Sequence, residues 1–385
     1  MNDTLRKYRV RFRLWKNGHR LKREQDYYLK RFRQMKISIP DDVTLRSEIK
    51  KRFPLIIPKQ KGQLNIIAIY HHYNWENYSL KPALEQFGTV RFYDWFDKFN
   101  HQNKNWRKSI KTKMNLALVD QVNKWMAVER ADVIFTYLSG ELVEPKTLQA
   151  IRENGVPIIN LALNDKEHFI GKIKNGRAQG ARDICRYFDL CWTSTEDSLI
   201  KYSAEGALPL YMPEGANPAI HRPYDIEKSI DVSFIGNCYG NRAEVINELK
   251  KRGINVEAYG TNWPNGPLST EEMVKTYSRS KINLGFGGVA GHQNTFCLKG
   301  RDFEIPMSGG LYLTEDHPEL AIAFRPSKEI LTYSGIEDLL QKIKYCLDYP
   351  AEAEAVRAQG YKRARRDHTW EGRFGKIFRL IGLLS

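Results

Sequence analysis

The segment 298–310 concentrates residue types that suit the binding of a phosphorylated ligand. Lys299 and Arg301 can neutralise a diphosphate, and an arginine can do so through two parallel hydrogen bonds. Glu304, further along the same predicted helix, can accept hydrogen bonds from sugar or ribose hydroxyls. The glycine pair at 309–310 ends the helix where a left-handed or closely packed backbone is needed. The alternative is a helix cap with surface charges.

A glycine-containing turn follows the strand predicted at 231–235 and opens the next helix. The backbone amides of Gly236 and Asn237 can hold an anionic phosphate at that helix start, and Arg242 adds a full charge. The turn lacks the GxGxxG spacing, and Glu257 falls inside the next strand rather than at its end. A dinucleotide such as NAD is therefore disfavoured.

Two aromatic residues lie at the end of the strand predicted at 256–259. Tyr259 is the last residue of that strand, and Trp263 follows in the loop. An aromatic face at this place can lie near a nucleotide base. The alternative for Trp263 is simple packing under Pro264.

The first half of the chain carries two candidates for acid–base chemistry. His72 follows the strand predicted at 65–70, and Asp165 follows the strand predicted at 156–161. Either side chain can take the proton from an acceptor hydroxyl, as general-base catalysis requires. The alternatives are a structural pair of His71 with His72, and an N-cap role for Asp165.

Strand and helix patterns alternate from Leu64 onward, which predicts doubly wound parallel sheets. Short, nearly continuous apolar runs indicate strands buried on both faces. They lie at 65–70, 89–93, 132–136, 156–161, 188–192, 231–235, 256–259, 282–284 and 311–314. A linker-like stretch at 212–223 divides the pattern. We therefore predict an α/β protein with two Rossmann-like domains, 63–222 and 223–373, facing a cleft where ligands bind.

The positive charge is concentrated at the start of the chain. Residues 1–62 hold 19 Lys/Arg and 6 Asp/Glu, a net +13 of the total +16. This composition predicts a separate basic extension, a helix or a helical hairpin broken near Gly18, and a chain beginning near Gln63 is expected to fold without it. Basic residues interleaved with aromatics suit an anionic membrane surface or an acidic acceptor. Nucleic acid, a solvated helix over the first domain and an oligomerisation arm are the alternatives.

Bulk composition is that of a globular protein of two or three domains. Of its 385 residues, 42% are hydrophobic and 28% charged, and no apolar run approaches the ~20 residues that span a bilayer. The N-terminus has no apolar signal region, and the five scattered cysteines form no CxxC pair. We expect a cytoplasmic protein, peripheral to the inner membrane face if the basic extension binds lipid.

The segment 298–310 resembles the donor-sugar segment of GT-B glycosyltransferases, and within these it is most similar to the CgeB-like group. More weakly, the resemblance extends from about Leu64 to the C-terminus. It implies transfer of a sugar from a nucleotide sugar to a hydroxyl acceptor, with a bacterial glycan, surface polysaccharide or glycoprotein as the expected acceptor. It also implies that no metal is needed and that the last helix, 374–385, crosses back to the first domain.

The resemblance assigns the donor to the C-terminal domain. Arg242, Lys299 and Arg301 would bind the diphosphate, with Glu304 on the sugar or ribose. Many retaining GT-B enzymes carry a second glutamate eight positions earlier, where this chain has Phe296. The stereochemical outcome is therefore left open.

Two other classes of function remain open from the sequence. One is a non-catalytic GT-B-like protein that binds glycans or an envelope surface, against which the presence of Arg301 and Glu304 argues. The other is a nucleic-acid-binding protein, suggested only by the net charge.

Overall fold

The computed structural model describes residues 3–289 and 295–385, and in the first helix it describes the side chains of Arg9 and of residues from Phe12 onward. These residues form two compact units. The first unit is built from Trp15–Pro213 and Arg373–Ser385, and the second unit mainly from Glu214–Gly372. Among the described residues, no helix has a stretch long and apolar enough to cross a bilayer.

Two helices precede the first sheet. They are α1 (Asp3–Met35) and α2 (Asp42–Arg52). Gly18 lies inside α1, so the predicted break at this residue was wrong. A glycine costs a helix only about 1 kcal/mol relative to alanine, and contacts of α1 with the first unit offset that cost. Tyr28 is 1% exposed, and its ring lies 5.4 Å from that of Phe169 in an edge-to-face arrangement.

The first unit contains a six-stranded parallel sheet in the order β2-β1-β3-β4-β7-β8, with a separate antiparallel hairpin of β5 and β6. The strands are β1 (Leu64–Ile69), β2 (Gly88–Tyr93), β3 (Val133–Thr136), β4 (Ile158–Ala162), β5 (Ile173–Lys174), β6 (Arg177–Ala178), β7 (Leu190–Thr193) and β8 (Pro209–Tyr211). The helices are α3 (Glu76–Glu85), α4 (Lys111–Val128), α5 (Pro145–Arg152), α6 (Asp165–His168) and α7 (Leu199–Ala204).

The second unit contains a five-stranded parallel sheet in the order β10-β9-β11-β12-β13. Its strands are β9 (Ile230–Ile235), β10 (Val256–Tyr259), β11 (Ser280–Leu284), β12 (Tyr312–Glu315) and β13 (Leu331–Tyr333). Its helices are α8 (Arg242–Lys251), α9 (Thr270–Arg279), α10 (Gly300–Met307), α11 (Leu320–Ala323), α12 (Ile336–Asp348) and α13 (Pro350–Asp367). The pattern of strands and helices agrees with the predicted doubly wound architecture.

The last helix, α14 (Trp370–Leu380), belongs to the first unit from Arg373 onward. The ring of Phe374 lies 5.0 Å from Phe135 and 5.6 Å from Trp192. The end of the chain therefore packs on the core of the first unit.

The two unit boundaries differ in position from those predicted. Trp15–Pro213 includes most of the predicted extension, because α1 and α2 bury Leu21, Leu45 and Ile49. The second unit begins at Glu214 rather than at residue 223, since the backbone of Ala216 exchanges hydrogen bonds with His368 and Trp370.

Candidate functional site

Helix α10 presents its first residues in a fixed geometry. The Lys299 amide donates to Asp302 Oδ2 at 2.7 Å, and the Tyr312 hydroxyl donates to the same carboxylate. The helix ends at Met307, and Gly309 follows with a φ of 69°, a left-handed conformation that favours glycine. Both ends of the short helix are therefore determined by local residues, as the sequence predicted for the glycine.

Lys299 is held against two backbone carbonyls in the loop after β11. Its Nζ donates to the carbonyl oxygens of Phe286 at 3.0 Å and Gly288 at 2.7 Å. Burial lowers the pKa of Lys299 to about 8, and the positive charges of Arg301 and Arg242 contribute to that shift.

Arg242 is the first residue of α8 and is only 3% exposed. Its Nη1 donates to the Asn237 carbonyl at 2.8 Å, its Nη2 donates to the Tyr239 hydroxyl at 3.0 Å, and its guanidinium lies 3.9 Å from the Tyr239 ring centre. Burial lowers the pKa of Arg242 to about 10, with repulsion from Arg301 as the next cause.

Arg301 completes this group. Its guanidinium and that of Arg242 each lie 5.3 Å from the ring centre of Phe234. Its Nη1 is buried and has no hydrogen-bond partner among the described residues. A Cβ at Gly236 would lie 2.6 Å from Arg301 Nη2, so a side chain there would displace the guanidinium from its present position.

Arg242, Lys299 and Arg301, here called the cation cluster, carry three positive charges. Among residues 3–289 and 295–385, none of the three has a carboxylate within ion-pair distance. Burial and repulsion between the cations disfavour the charged forms of Arg242 and Lys299, and a bound anion would compensate the repulsion. A buried donor without a partner is costly, so Arg301 Nη1 is suited to an oxygen of a ligand.

The loop residues predicted to bind the ligand lie beside this cluster, but not all reach it. Gly236 accepts a hydrogen bond from Trp263 Nε1 at 2.8 Å, and Asn237 Oδ1 accepts from the Thr261 amide at 3.3 Å. Trp263 therefore positions the loop that holds Arg242. Tyr259 donates its hydroxyl to Glu257 on its own strand, which engages the polar end of its side chain.

Glu304 lies one turn after Arg301 on α10, and its side chain is 17% exposed. Its Oε1 is 3.7 Å from Nε2 of the buried His221. A Cβ placed on Gly300 would lie 3.2 Å from Glu304 Oε1 and 3.3 Å from Glu214 Oε2, so the two carboxylates are close neighbours. Burial and repulsion from Glu304 raise the pKa of Glu214 to about 8.

Sequence reasoning missed Glu214 and His221. Both lie in the Pro- and Gly-rich stretch interpreted as a linker, and no local pattern marks them. Only the return of this stretch to α10 in space brings them to Glu304. Among the described residues, no three His, Cys, Asp or Glu side chains are grouped so as to hold a metal ion.

The first unit contains a cavity of about 590 Å³ at the carboxyl ends of β1, β3 and β4. Its walls come from the loops after these strands and from the flanks of the β5–β6 hairpin. Asp165, one of the two predicted bases, lines this cavity but is 4% exposed, and its Oδ2 accepts from the Tyr202 hydroxyl at 2.8 Å. Burial raises the pKa of Asp165 to about 6.

His72, the other predicted base, lies near the same strand ends. Its Nδ1 accepts from the Asn77 amide at 3.3 Å and is 3.5 Å from Glu76 Oε2. With Nδ1 acting as the acceptor, the neutral ring carries its proton on Nε2 and presents a donor there. These contacts favour a positioning role, and the general-base roles of His72 and Asp165 stay predictions.

Comparison with protein families gives a match over 36% of the chain, 138 of its 385 residues. Residues 242–379 match the model of a family described as glycosyl transferase-like. The match includes the cation cluster and Glu304. A search of curated protein sequences found no match.

Several solved structures superpose on most of this chain, and the matched part is nearly the whole of each of those chains. Sucrose-phosphate synthase from Thermosynechococcus elongatus superposes with a TM-score of 0.59 and 12% identity, covering 82% of this chain and 98% of that one. HepE of Anabaena, solved with UDP-glucose, superposes with a TM-score of 0.56 and 9% identity, covering 82% of this chain and 100% of that one. A glycosyltransferase from Rickettsia africae superposes with a TM-score of 0.55 and 12% identity, covering 84% of this chain and 99% of that one.

At such low identity the structural matches establish the fold, and they confirm the predicted GT-B architecture. The family match identifies the second unit as a glycosyl transferase-like domain. Both findings agree with the predicted class of protein, a glycosyltransferase.

Proposed function

We propose that the chain transfers a sugar from a nucleoside diphosphate sugar to a hydroxyl acceptor. The observation that carries the proposal is the cation cluster at the strand ends of the second unit, in which Arg242 and the Nη1 atom of Arg301 are buried and none of the three cations has a carboxylate within ion-pair distance among the described residues. A diphosphate supplies the negative charge and the acceptor oxygens that this cluster lacks.

In the proposed reaction, the acceptor oxygen forms a bond to the anomeric carbon of the donor sugar. The bond between that carbon and the diphosphate oxygen breaks, and the hydroxyl proton leaves to a base. Negative charge develops on the departing diphosphate, where Arg242, Lys299 and Arg301 are already in place. Fixed charges of this kind are commonly the largest contribution to enzymatic rate.

The remaining residues have supporting roles in this proposal. Glu304 accepts hydrogen bonds from hydroxyls of the donor, and Trp263 holds the loop of Gly236 and Asn237 beside the diphosphate. We propose no metal requirement, because the cation cluster itself supplies the charge. Equal turnover with and without EDTA tests that point.

Binding of a nucleoside diphosphate is the direct test. HepE was solved with UDP-glucose, and an alpha-glucosyltransferase, matched at a TM-score of 0.55, was solved in complex with UDP and a 13-mer DNA. UDP is therefore the first probe, followed by GDP, dTDP and ADP. A ligand at 100 times its Kd stabilises a protein by about 2.7 kcal/mol, so the melting temperature should rise. No shift with any of the four contradicts the donor site.

Two finer assignments belong to the same proposal. Membership of the CgeB-like group is supported by the segment 298–310, and a profile of that group should align Lys299, Arg301 and Glu304.

Binding to an anionic membrane is supported by the exposed side of α1. Among the described side chains from Arg9 to Lys36, which follows the helix, eight cations are exposed (Arg9, Arg13, Lys16, Lys22, Arg23, Lys30, Arg33 and Lys36) and one acid, Asp26.

A further inference from the structure

A short loop of the first unit, 53–58, exposes two large aliphatic side chains. Leu55 is 91% exposed and Ile57 is 78% exposed, more than any other Leu or Ile that the structure describes. Ile56, between them, turns inward, and its Cγ2 lies 3.9 Å from the place that a Cβ on Gly382 would take. Leu55 and Ile57, here called the apolar tip, would gain free energy by leaving water.

The loop that carries the apolar tip is fixed at both ends. Before it, Arg52 Nη1 lies 3.3 Å from Asp189 Oδ1. After it, the Lys59 amide donates to the Leu383 carbonyl at 2.9 Å. Prolines at positions 54 and 58 restrict the backbone further. The loop therefore has little conformational freedom to lose when a partner binds.

These contacts place the loop at the amino-terminal edge of the six-stranded sheet. Asp189 immediately precedes β7, and Asp132, whose Oδ2 accepts from Lys59 Nζ at 2.8 Å, immediately precedes β3. The sheet is parallel, so this edge is opposite the carboxyl ends that line the cavity of about 590 Å³. A partner that binds the apolar tip therefore leaves that cavity open.

The segment around the apolar tip is positively charged. Residues 46–61 hold six Lys/Arg and a single acid, Glu48. The carboxylate of Glu48 lies 2.7 Å from Lys51 Nζ, whereas Arg46 and Lys50 are exposed. Cations near an anionic membrane surface are attracted to it. An apolar tip flanked by cations is the combination typical of segments that bind at a membrane interface.

The size of the apolar tip favours a bilayer over a protein partner. A standard protein interface buries roughly 800 Å² on each partner, and two aliphatic side chains supply only a small part of that area. A bilayer has no such requirement, because its acyl chains accept any aliphatic group and its headgroups attract the cations nearby.

We infer that the apolar tip inserts into the acyl layer of an anionic bilayer, with the cations of 46–61 at the headgroups. The membrane contact proposed for α1 is electrostatic and is screened by salt, whereas insertion of Leu55 and Ile57 is not. The inference does not depend on sugar transfer. It also stands if the cations of α1 are only solvated.

The first test is sedimentation of the full chain with vesicles of phosphatidylcholine and phosphatidylserine. Changing Leu55 and Ile57 together to serine should weaken binding by about 10²-fold. The binding that the wild type keeps at high salt should disappear in this variant. The matched control changes Leu116 and Ile322, which are 66% and 51% exposed elsewhere, to serine and should bind as the wild type does.

The second test measures insertion directly. Leu55→Trp should be quenched by lipids with brominated acyl chains, because such quenching requires contact with the acyl layer. Leu116→Trp places the same indole on the exposed side of α4 and should add no quenching to that of the wild type. Thermal melting of each variant shows that it is folded.

Four results would overturn the inference. They are a wild type that does not sediment with the vesicles, a Leu55 and Ile57 serine variant that binds as tightly as the wild type, an equal loss in the control variant, and equal quenching of Leu55→Trp and Leu116→Trp. Self-association without vesicles that is lost in the serine variant would instead assign the apolar tip to a contact between copies of the chain. A chain that inserts into vesicles but binds no nucleotide would contradict the proposed function and leave this inference in place.

Discussion

The proposed chemistry of the second unit depends on three cations, none of which has a carboxylate within ion-pair distance among the described residues. Sequence analysis named all three, because their positions next to predicted helix starts suit a phosphate. The burial of Arg242 and the carbonyl contacts of Lys299 were not predictable, since the loop after β11 supplies those contacts from outside the segment.

Replacing Arg301 with alanine should reduce turnover by about 10²–10³-fold. The loss follows because Arg301 Nη1 has no other partner among the described residues. Folding should be unaffected or slightly improved, since one of three repelling charges is gone. Steady-state kinetics and thermal melting measure the two effects. Arg252→Ala is the control, because Arg252 pairs with surface carboxylates, and wild-type turnover in Arg301→Ala would place the donor site elsewhere.

Nucleotide affinity should fall as pH rises through about 8. Lys299 has its pKa lowered to about 8 by burial, so it loses its charge there, and a bound diphosphate favours the charged form. Titration calorimetry in buffers of different ionisation enthalpy should show proton uptake on binding. Lys299→Arg should abolish the pH dependence, because arginine keeps its charge. Glu214→Gln removes the other group that titrates near this pH and separates the two contributions.

Glu214 should make the chain less stable as pH rises. Its pKa is raised from 4.5 to about 8 by burial and by Glu304, so between these values the folded state holds a proton that the unfolded state has released. Stability therefore falls across that window and is constant above it. Melting temperatures below and above the window should differ less for Glu214→Gln than for the wild type. An equal difference would mean that other groups dominate.

At the scale of the elements, long or strongly apolar segments were predictable and short ones were not. The strands β9 to β12 follow the predicted runs closely. The three-residue strands β8 and β13 and the β5–β6 hairpin lack a clear period, because tertiary pairing rather than local pattern defines them. The charge composition of residues 1–62 predicted a separate extension. Instead α1 packs on the first unit through a buried face that only a few residues form.

Helix α1 is joined to the first unit by a buried ion pair. Lys201 Nζ lies 2.9 Å from Glu24 Oε1, and the two side chains are 2% and 3% exposed. Glu24→Leu leaves the Lys201 ammonium buried without this partner and should destabilise the chain by roughly 3–5 kcal/mol. The double variant with Lys201→Met should recover most of that loss in urea unfolding.

The exposed pair of Lys281 and Asp231 provides the control for this cycle. Breaking it should cost about 0–1 kcal/mol. A similarly small effect for Glu24→Leu would mean that α1 is not required by the first unit.

The contacts of α1 and α2 also change the expected outcome of truncation. A chain beginning near Gln63 should be poorly soluble, because it uncovers the partners of Leu21, Tyr28 and Ile49.

At the scale of the whole molecule, charge is divided unevenly between the start of the chain and the rest. Residues 1–62 carry a net +13, which leaves +3 for the other 323 residues. The buried side of α1 faces the first unit, so its exposed cations are available to a partner without unfolding. Because truncation would destabilise the first unit, surface substitutions test this partner better than deletion does.

Lys16, Lys22 and Lys30 are exposed on α1, and changing all three to glutamine should weaken binding to phosphatidylserine vesicles. Each cation near an anionic surface contributes about 1 kcal/mol, so the triple variant should bind about 10²-fold more weakly. Binding of the wild type should fall with salt, because the Debye length shrinks from about 10 Å at 0.1 M to about 3 Å at 1 M.

Vesicle sedimentation measures both effects. The matched control changes Lys250, Lys251 and Lys328, which are exposed in the second unit, to glutamine. It removes the same charge from another surface and should bind as the wild type does. Equal loss in both variants would indicate a response to net charge alone, and no sedimentation of the wild type at low salt would contradict the membrane proposal. In the latter case the basic side of α1 is a solvated surface, and the contribution of this helix is to the stability of the first unit.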